Sequence, residues 1–145
     1  MSEKSENIRE KFMSLLLRKS CTRKQAEEFL SRQKVTESEF DALMNEAEEL
    51  GLIDDLIFAK LFIDGHLSWG NLKISHELSM RGVSRENINL AFEDAESEIE
   101  RASEIVRSLR KTGIDERKIM NRLLSRGFSS KAVRSALNEE EDMNF

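Results

Sequence analysis

The sequence predicts an all-α protein made of three tandem, degenerate three-helix repeats that form an elongated, curved body. Three observations predict it. Apolar residues recur at helical spacing along almost the whole chain. The 145 residues include no proline, so no helix loses a backbone donor to one. The chain also overlays on itself. Ile74, Leu78, Arg81, Gly82, Val83, Ser84, Ile88 and Phe92 match Ile119, Leu123, Arg126, Gly127, Phe128, Ser129, Val133 and Leu137 at a constant offset of 45. At an offset of 48, Ala26, Leu30, Val35, Thr36, Phe40 and Met44 fall under Ile74, Leu78, Val83, Ser84, Ile88 and Phe92, with Gln33 and Lys34 in place of the Arg-Gly pair. A fixed period of this length marks stacked helical modules, each too small to bury its apolar stripe alone. The repeats are expected at 1–51, 52–93 and 94–138, with 139–145 an acidic tail expected to be disordered.

In chain order, a first helix from near Ser5 carries Ile8, Phe12, Met13, Leu16 and Leu17 on one face. Thr22 reads as the cap of a second helix bearing Ala26, Phe29 and Leu30. Thr36, with Glu39 three residues on, forms a capping box for a third, which carries Phe40, Leu43, Met44, Ala47 and Leu50 and stops at Gly51. Asp54 or Asp55 caps the next helix, whose inward face is expected to hold Ile57, Phe58, Leu61 and Phe62. A helix over about 71–81 follows, with Leu72, Ile74 and Leu78 inward and Gly82 as its stop. Ser84 then caps a helix with Ile88, Ala91 and Phe92. The 93–100 stretch either prolongs that helix or turns into the next. Ile99, Ala102, Ile105, Val106 and Leu109 form a stripe that ends at Gly113. Ile119, Met120, Leu123 and Leu124 form another, closed by Gly127. Ser129 caps the last helix, with Ala132, Val133, Ala136 and Leu137 inward.

Charged residues make up 35% of the chain and apolar ones 39%, which suits a surface-rich helical protein. No apolar run reaches the roughly 20 residues of a membrane span. The N-terminal segment is polar, without the apolar stretch of a signal peptide, and the single cysteine, Cys21, forms no internal disulfide. A cytoplasmic monomer is expected. The net charge of −5 disfavours strong nonspecific DNA binding. Its distribution is uneven: residues 101–134 hold ten Lys or Arg against three acids, and 9–34 hold eight against three, while acids gather in the middle and the tail.

Nothing in the sequence assembles a catalytic constellation, a metal site or a cofactor-binding loop, and none is expected. His66 and His76 lack cysteine or carboxylate partners at zinc spacing. Asp54-Asp55 reads as a helix cap and dipole complement rather than a metal pair. Cys21 has basic neighbours but no positioned base. Gly65 and Gly70 are too isolated to cradle phosphate. The binding features say more. Lys118, Arg122 and Arg126 recur at i, i+4, i+8 and form one ridge opposite the apolar stripe, with Arg117 beside it. The same positions are Lys73, Glu77 and Arg81 in the central repeat and Gln25, Phe29 and Gln33 in the first. Such a row meets phosphates or an acidic protein face. Trp69, the only tryptophan, precedes Gly70 in a loop, as an interface anchor or as a plug between helices. Lys73, Arg81, Lys118, Arg122, Arg126 and Trp69 are therefore the candidate binding residues.

The stretch from Leu50 to Phe92 resembles the central repeat of the RecX family of recombination regulators. The resemblance is carried by Leu50, Gly51, Asp54, Asp55, Phe58, Ala59 and Phe62, then Lys73, Ile74, Glu77, Leu78, Arg81, Gly82, Val83, Ile88 and Ala91. It implies a non-catalytic protein that binds RecA–single-stranded DNA filaments. Such a protein restrains the recombinase, its ATPase and filament growth, in DNA repair and the SOS response. Family members tend to be basic and to carry arginines and a Gly-Pro in the loop that here reads Gly65 to Asn71 without either. Contact with RecA is thus expected to outweigh contact with DNA, which is expected to be weak. The alternative is a helix-turn-helix DNA-binding regulator, since each repeat joins short helices by tight turns. The net charge and the lack of a dimer element weigh against it.

Overall fold

Local capping chemistry sets most of the helix boundaries. Thr22 and Thr36 each close a full capping box, with Gln25 and Glu39 as the return partners. Asp54, Ser84 and Ser97 each accept a hydrogen bond from a backbone N–H three residues on. At the other ends Gly51, Gly82, Gly113 and Gly127 adopt positive φ and stop the helix before them. The computed structural model describes residues 3–142, with side chains as far as Asn138. Among the described residues there are nine α-helices and no strand. They are α1 (Glu3–Arg18), α2 (Arg23–Ser31), α3 (Glu37–Glu49), α4 (Asp55–Asp64), α5 (Asn71–Met80), α6 (Arg85–Glu93), α7 (Glu98–Lys111), α8 (Glu116–Ser125) and α9 (Ser130–Asp142).

The helices bury three separate apolar clusters. α1–α3 enclose Phe12, Leu30, Leu43 and Met44, with Cys21 at the edge. α4–α6 enclose Ala59, Ile63, Ile74, Leu78 and Ile88. α7–α9 enclose Ala102, Val106, Ile119, Leu123, Phe128 and Val133. In the second and third triplets the first and third helices pack most extensively, α4 on α6 and α7 on α9.

The structure departs from the sequence reading on several faces. Ile57 and Leu61 are 53% and 59% exposed, and α4 instead buries Ala59 and Ile63, with Phe58 and Phe62 half-covered. Seven residues of this ten-residue helix are apolar, so periodicity does not choose between its faces; Ala59 does, because its small side chain admits a neighbouring helix closely. Leu17, Leu50, Leu72 and Leu124 are also exposed rather than inward. The 93–100 stretch resolves into a short turn, with Ser97 capping α7. At the C-terminus, α9 carries helix to Asp142, into the segment read as tail. Glutamate is a good straight-chain helix former, so a helix begun at Ser130 propagates through the acids. Residues 143–145 lie outside the described residues.

The three triplets meet through their middle helices. The C-terminal end of α5 abuts the N-terminal end of α2, where Thr22 donates its hydroxyl to the Arg81 carbonyl at 2.6 Å. The C-terminal end of α8 abuts the N-terminal end of α5 more closely. Here no side chain intervenes: Gly70 N–H donates to the Arg126 carbonyl at 2.9 Å and Leu72 N–H to the Gly127 carbonyl at 3.1 Å. A Cβ at Gly70 would lie 2.0 Å from the Phe128 nitrogen, so only glycine permits this backbone contact. The three middle helices therefore run head to tail, each carbonyl-rich end against the N–H-rich end of the next, the favourable sense for helix dipoles.

The joints predict a graded effect of alanine. Gly113 (φ +76) and Gly127 (φ +91) both need the left-handed region, but a Cβ at Gly113 meets nothing within 4 Å, whereas one at Gly127 lies 2.4 Å from the Lys73 Cβ. Gly113→Ala should cost only the conformational strain, about 1–2 kcal/mol. Gly127→Ala should cost more, because it also separates α8 from α5. Urea unfolding of the two variants measures the difference.

Candidate functional site

Phe58 and Phe62 of α4 lie at i, i+4 on one face, and His66 follows four residues on, just past the helix end. Phe58 and Phe62 stack with ring centroids 6.2 Å apart, and Phe62 and His66 at 4.1 Å. His66 Nδ1 lies 2.7 Å from the Phe62 carbonyl, which fixes the ring in the stack. Trp69 continues the row at 4.3 Å from His66. Lys73 of α5 and Arg81, the residue after its end, lean onto it: Lys73 Nζ sits 4.2 Å from the Trp69 centroid and the Arg81 guanidinium carbon 4.9 Å from that of Phe62. Each such contact contributes roughly 0.5–1 kcal/mol at a partly exposed site. Arg81 also donates to Glu77 Oε2 at 2.8 Å, and this hydrogen bond, opposed by partial burial, holds the Glu77 carboxyl below the usual carboxylate range.

Trp69, Lys73 and Arg81 are thus brought together, though as a consolidated cluster. Trp69 is half-buried against the core of the second triplet, with one neighbour His66 and another Lys73. Lys118, Arg122 and Arg126 behave differently. Lys118 and Arg122 are exposed and Arg126 is half-buried, and none pairs with an acid among the described residues. α8 meets α5 end to end, with Gly127 against Lys73.

What holds these parts in register was missed from the sequence. Arg101 of α7 is only 2% exposed. Its guanidinium donates to the carbonyls of Leu67 (3.2 Å), Trp69 and Glu96 (3.3 Å) and to Asn71 Oδ1, and it faces the ring of Phe128 at 5.6 Å. Burial lowers its pKa, while Glu98 and Glu96 oppose that shift; a guanidinium stays charged regardless. Glu98 acts alongside. Its carboxylate accepts from Asn71 N–H at 2.7 Å and from the Ser129 hydroxyl at 2.8 Å. In the first joint Asp55, the first residue of α4 as Glu98 is of α7, accepts from Arg23 N–H at 2.8 Å. One signal was available: Arg101 precedes Ile105 by four residues, so a charge sits on the apolar stripe of α7.

No group of three or more His, Cys, Asp or Glu among the described residues is placed to hold a metal ion. No helix among them is long and apolar enough to cross a membrane.

Comparison with known proteins identifies the lineage. The regulatory protein RecX of Streptomyces coelicolor is 33% identical over 150 residues, spanning 93% of this chain and 80% of that protein. The chain belongs to the RecX family. A family model describing the second three-helix domain of RecX matches residues 54–91, from the Asp54 cap to Ala91 in α6. The regulatory protein RecX of Thermobifida fusca is 27% identical over 88% of this chain and 75% of its own length. The crystal structure of RecX from Lactobacillus salivarius superimposes with a TM-score of 0.82 at 20% identity, over 96% of this chain and 97% of that one, so the fold is shared. The matched RecX domain includes Trp69, Lys73 and Arg81, whereas Lys118, Arg122 and Arg126 lie beyond it.

Arg101→Met should destabilise the protein by roughly 2–4 kcal/mol, since it strands several carbonyls of the 65–70 loop without a donor. Trp69 is the natural probe. Its emission should shift to the red in folded Arg101→Met as the loop loosens, and remain as in the parent protein if Arg101 is not what holds that loop.

Proposed function

We propose that this chain is a non-catalytic regulator that binds RecA filaments on single-stranded DNA as a monomer and restrains filament growth and ATP turnover. The observation that carries the reading is the end-to-end docking of α8 on α5. We read Lys118, Arg122 and Arg126, which pair with no acid among the described residues, together with Lys73 and Arg81 as one cationic track across this joint. Membership of the RecX family supports the choice of RecA as target. The track is suited to an anionic surface, either acidic protein side chains or phosphates presented by a filament.

The net charge of −5 gives little general attraction to nucleic acid, so selectivity for the filament over bare DNA has to come from protein contacts. The N-terminal ends of α2 and α5 are each covered by the next triplet along the chain, which leaves the helix-turn-helix alternative fewer free helix ends to enter a groove.

Added to RecA-coated single-stranded DNA, the protein should lower ATP turnover at substoichiometric ratios, because a molecule that blocks an end or bridges subunits affects many. Lys118→Glu, Arg122→Glu and Arg126→Glu combined should weaken filament binding at least about tenfold, with helix content unchanged and the residual binding less sensitive to salt. Equal, weak binding to filament and to bare DNA, with ATP turnover unaltered, would overturn the proposal in favour of the helix-turn-helix reading.

A further inference from the structure

The second and third triplets carry the same groove with different linings. Between α5 and α6 it is lined by Ser75, His76, Ser79, Arg85, Ile88 and Asn89. Between α8 and α9, residues 45 positions further on form it: Met120, Leu124, Ser130, Val133 and Arg134, around a volume of about 420 Å³. Two serines of the first groove become Met120 and Leu124 in the second. At the corresponding positions of the first triplet, 48 residues before those of the second, stand Glu27, Ser31, Glu37, Phe40 and Asp41. Serine and glutamate are thus accepted at this place in the fold, so packing does not dictate an apolar lining. Leu124 is nevertheless exposed there, outside the core formed by Ile119 and Leu123.

The surroundings of the α8/α9 groove are cationic. Arg134 lines it, and Arg117 lies one turn before Met120 on the same helix face. Several arginines elsewhere have an acidic partner: Arg9 with Glu46, Arg23 with Glu27 and Glu48, Arg81 with Glu77, Arg110 with Glu116. Arg117 and Arg134 have no acidic partner among the described residues. The groove contains no aromatic ring on which a nucleobase could stack, which disfavours single-stranded nucleic acid. An apolar floor between unmatched guanidinium groups fits a protein segment with the converse pattern.

We propose that the α8/α9 groove is a docking site for an amphipathic segment of a partner protein, which inserts an apolar side chain between Met120, Leu124 and Val133 and sets carboxylates against Arg117 and Arg134. The site is separate from the cationic track, since it uses neither Lys118, Arg122 nor Arg126. Its test therefore stands whether or not the RecA reading does.

The methionine methyl groups provide the readout. The full-length protein, labelled with 13C at its methionine methyls, is titrated with a short amphipathic peptide of leucine, glutamate and alanine, and separately with its lysine-for-glutamate counterpart. The acidic peptide should shift the Met120 methyl and leave exposed Met80 unmoved, and the basic peptide should do neither. Arg117→Glu with Arg134→Glu should weaken the acidic peptide at least tenfold, and Leu124→Gln should do the same without altering the helical signal. Equal shifts of Met80 and Met120, or equal binding of the two peptides, would reduce the groove to nonspecific adhesion. A Met120 shift on adding single-stranded DNA, on raising protein concentration alone, or on removing residues 143–145 would assign the groove to nucleic acid, to a second copy or to the chain's own end, and would overturn the proposal.

Discussion

The first turn of α5 has no cap of its own, and the chain satisfies it from a different helix triplet. Gly70 offers no side chain, so the leading N–H groups of the helix need acceptors elsewhere. The Arg126 and Gly127 carbonyls take two of them and the Glu98 carboxylate a third. Arg101 fastens the preceding loop from the same side. The same contacts satisfy the orphan carbonyls at the end of α8, so one joint completes two helix ends. The joint between α5 and α2 is looser. Thr22 caps α2 with its own capping box and reaches the Arg81 carbonyl through a hydroxyl, which leaves the start of α2 less dependent on the second triplet.

This constraint accounts for the pattern of the internal repeat. The Arg-Gly pair occurs at 81–82 and 126–127, where the end of a middle helix is pressed against another, at Lys24 and at Lys73. At Gln33-Lys34 no hydrogen bond from another triplet is accepted among the described residues, and glycine is not needed. It also connects fold to function. A row of cations on separate small bundles would be averaged by motion between them. Head-to-tail docking through polar contacts restricts such motion between α8 and α5, as the proposed track requires.

Much of the architecture was legible in the sequence because it is written locally. Thr22, Thr36, Asp54 and Ser84 announce helix starts by their own chemistry, and Gly51, Gly82, Gly113 and Gly127 announce the ends. The faces of short, nearly all-apolar helices were not legible. In α4 every face looks buried, and only the partner helix decides that Ala59 rather than Leu61 goes inward. The joints were also hidden, since Glu98 and Gly70 look like ordinary surface or loop residues until distant segments meet, and only the place of Arg101 on the apolar stripe of α7 hints at them. Of the candidate binding residues, Lys118 and Arg122 are exposed and Arg126 is half-buried. Trp69, Lys73 and Arg81 are largely occupied with one another and their neighbours, which no spacing rule reveals.

Backbone hydrogen exchange at the start of α5 tests the joint most directly. The opening amides of a helix ordinarily exchange fast, having no intrahelical acceptor. The amides of Gly70, Asn71 and Leu72 should be protected to nearly the level of the core. Those of Glu116, Arg117 and Lys118, at the equivalent end of α8 where the Asp115 cap makes no side-chain hydrogen bond, should exchange quickly. Equally fast exchange at both helix starts would mean that α8 does not dock on α5 in solution, and the proposed cationic track would be lost with it.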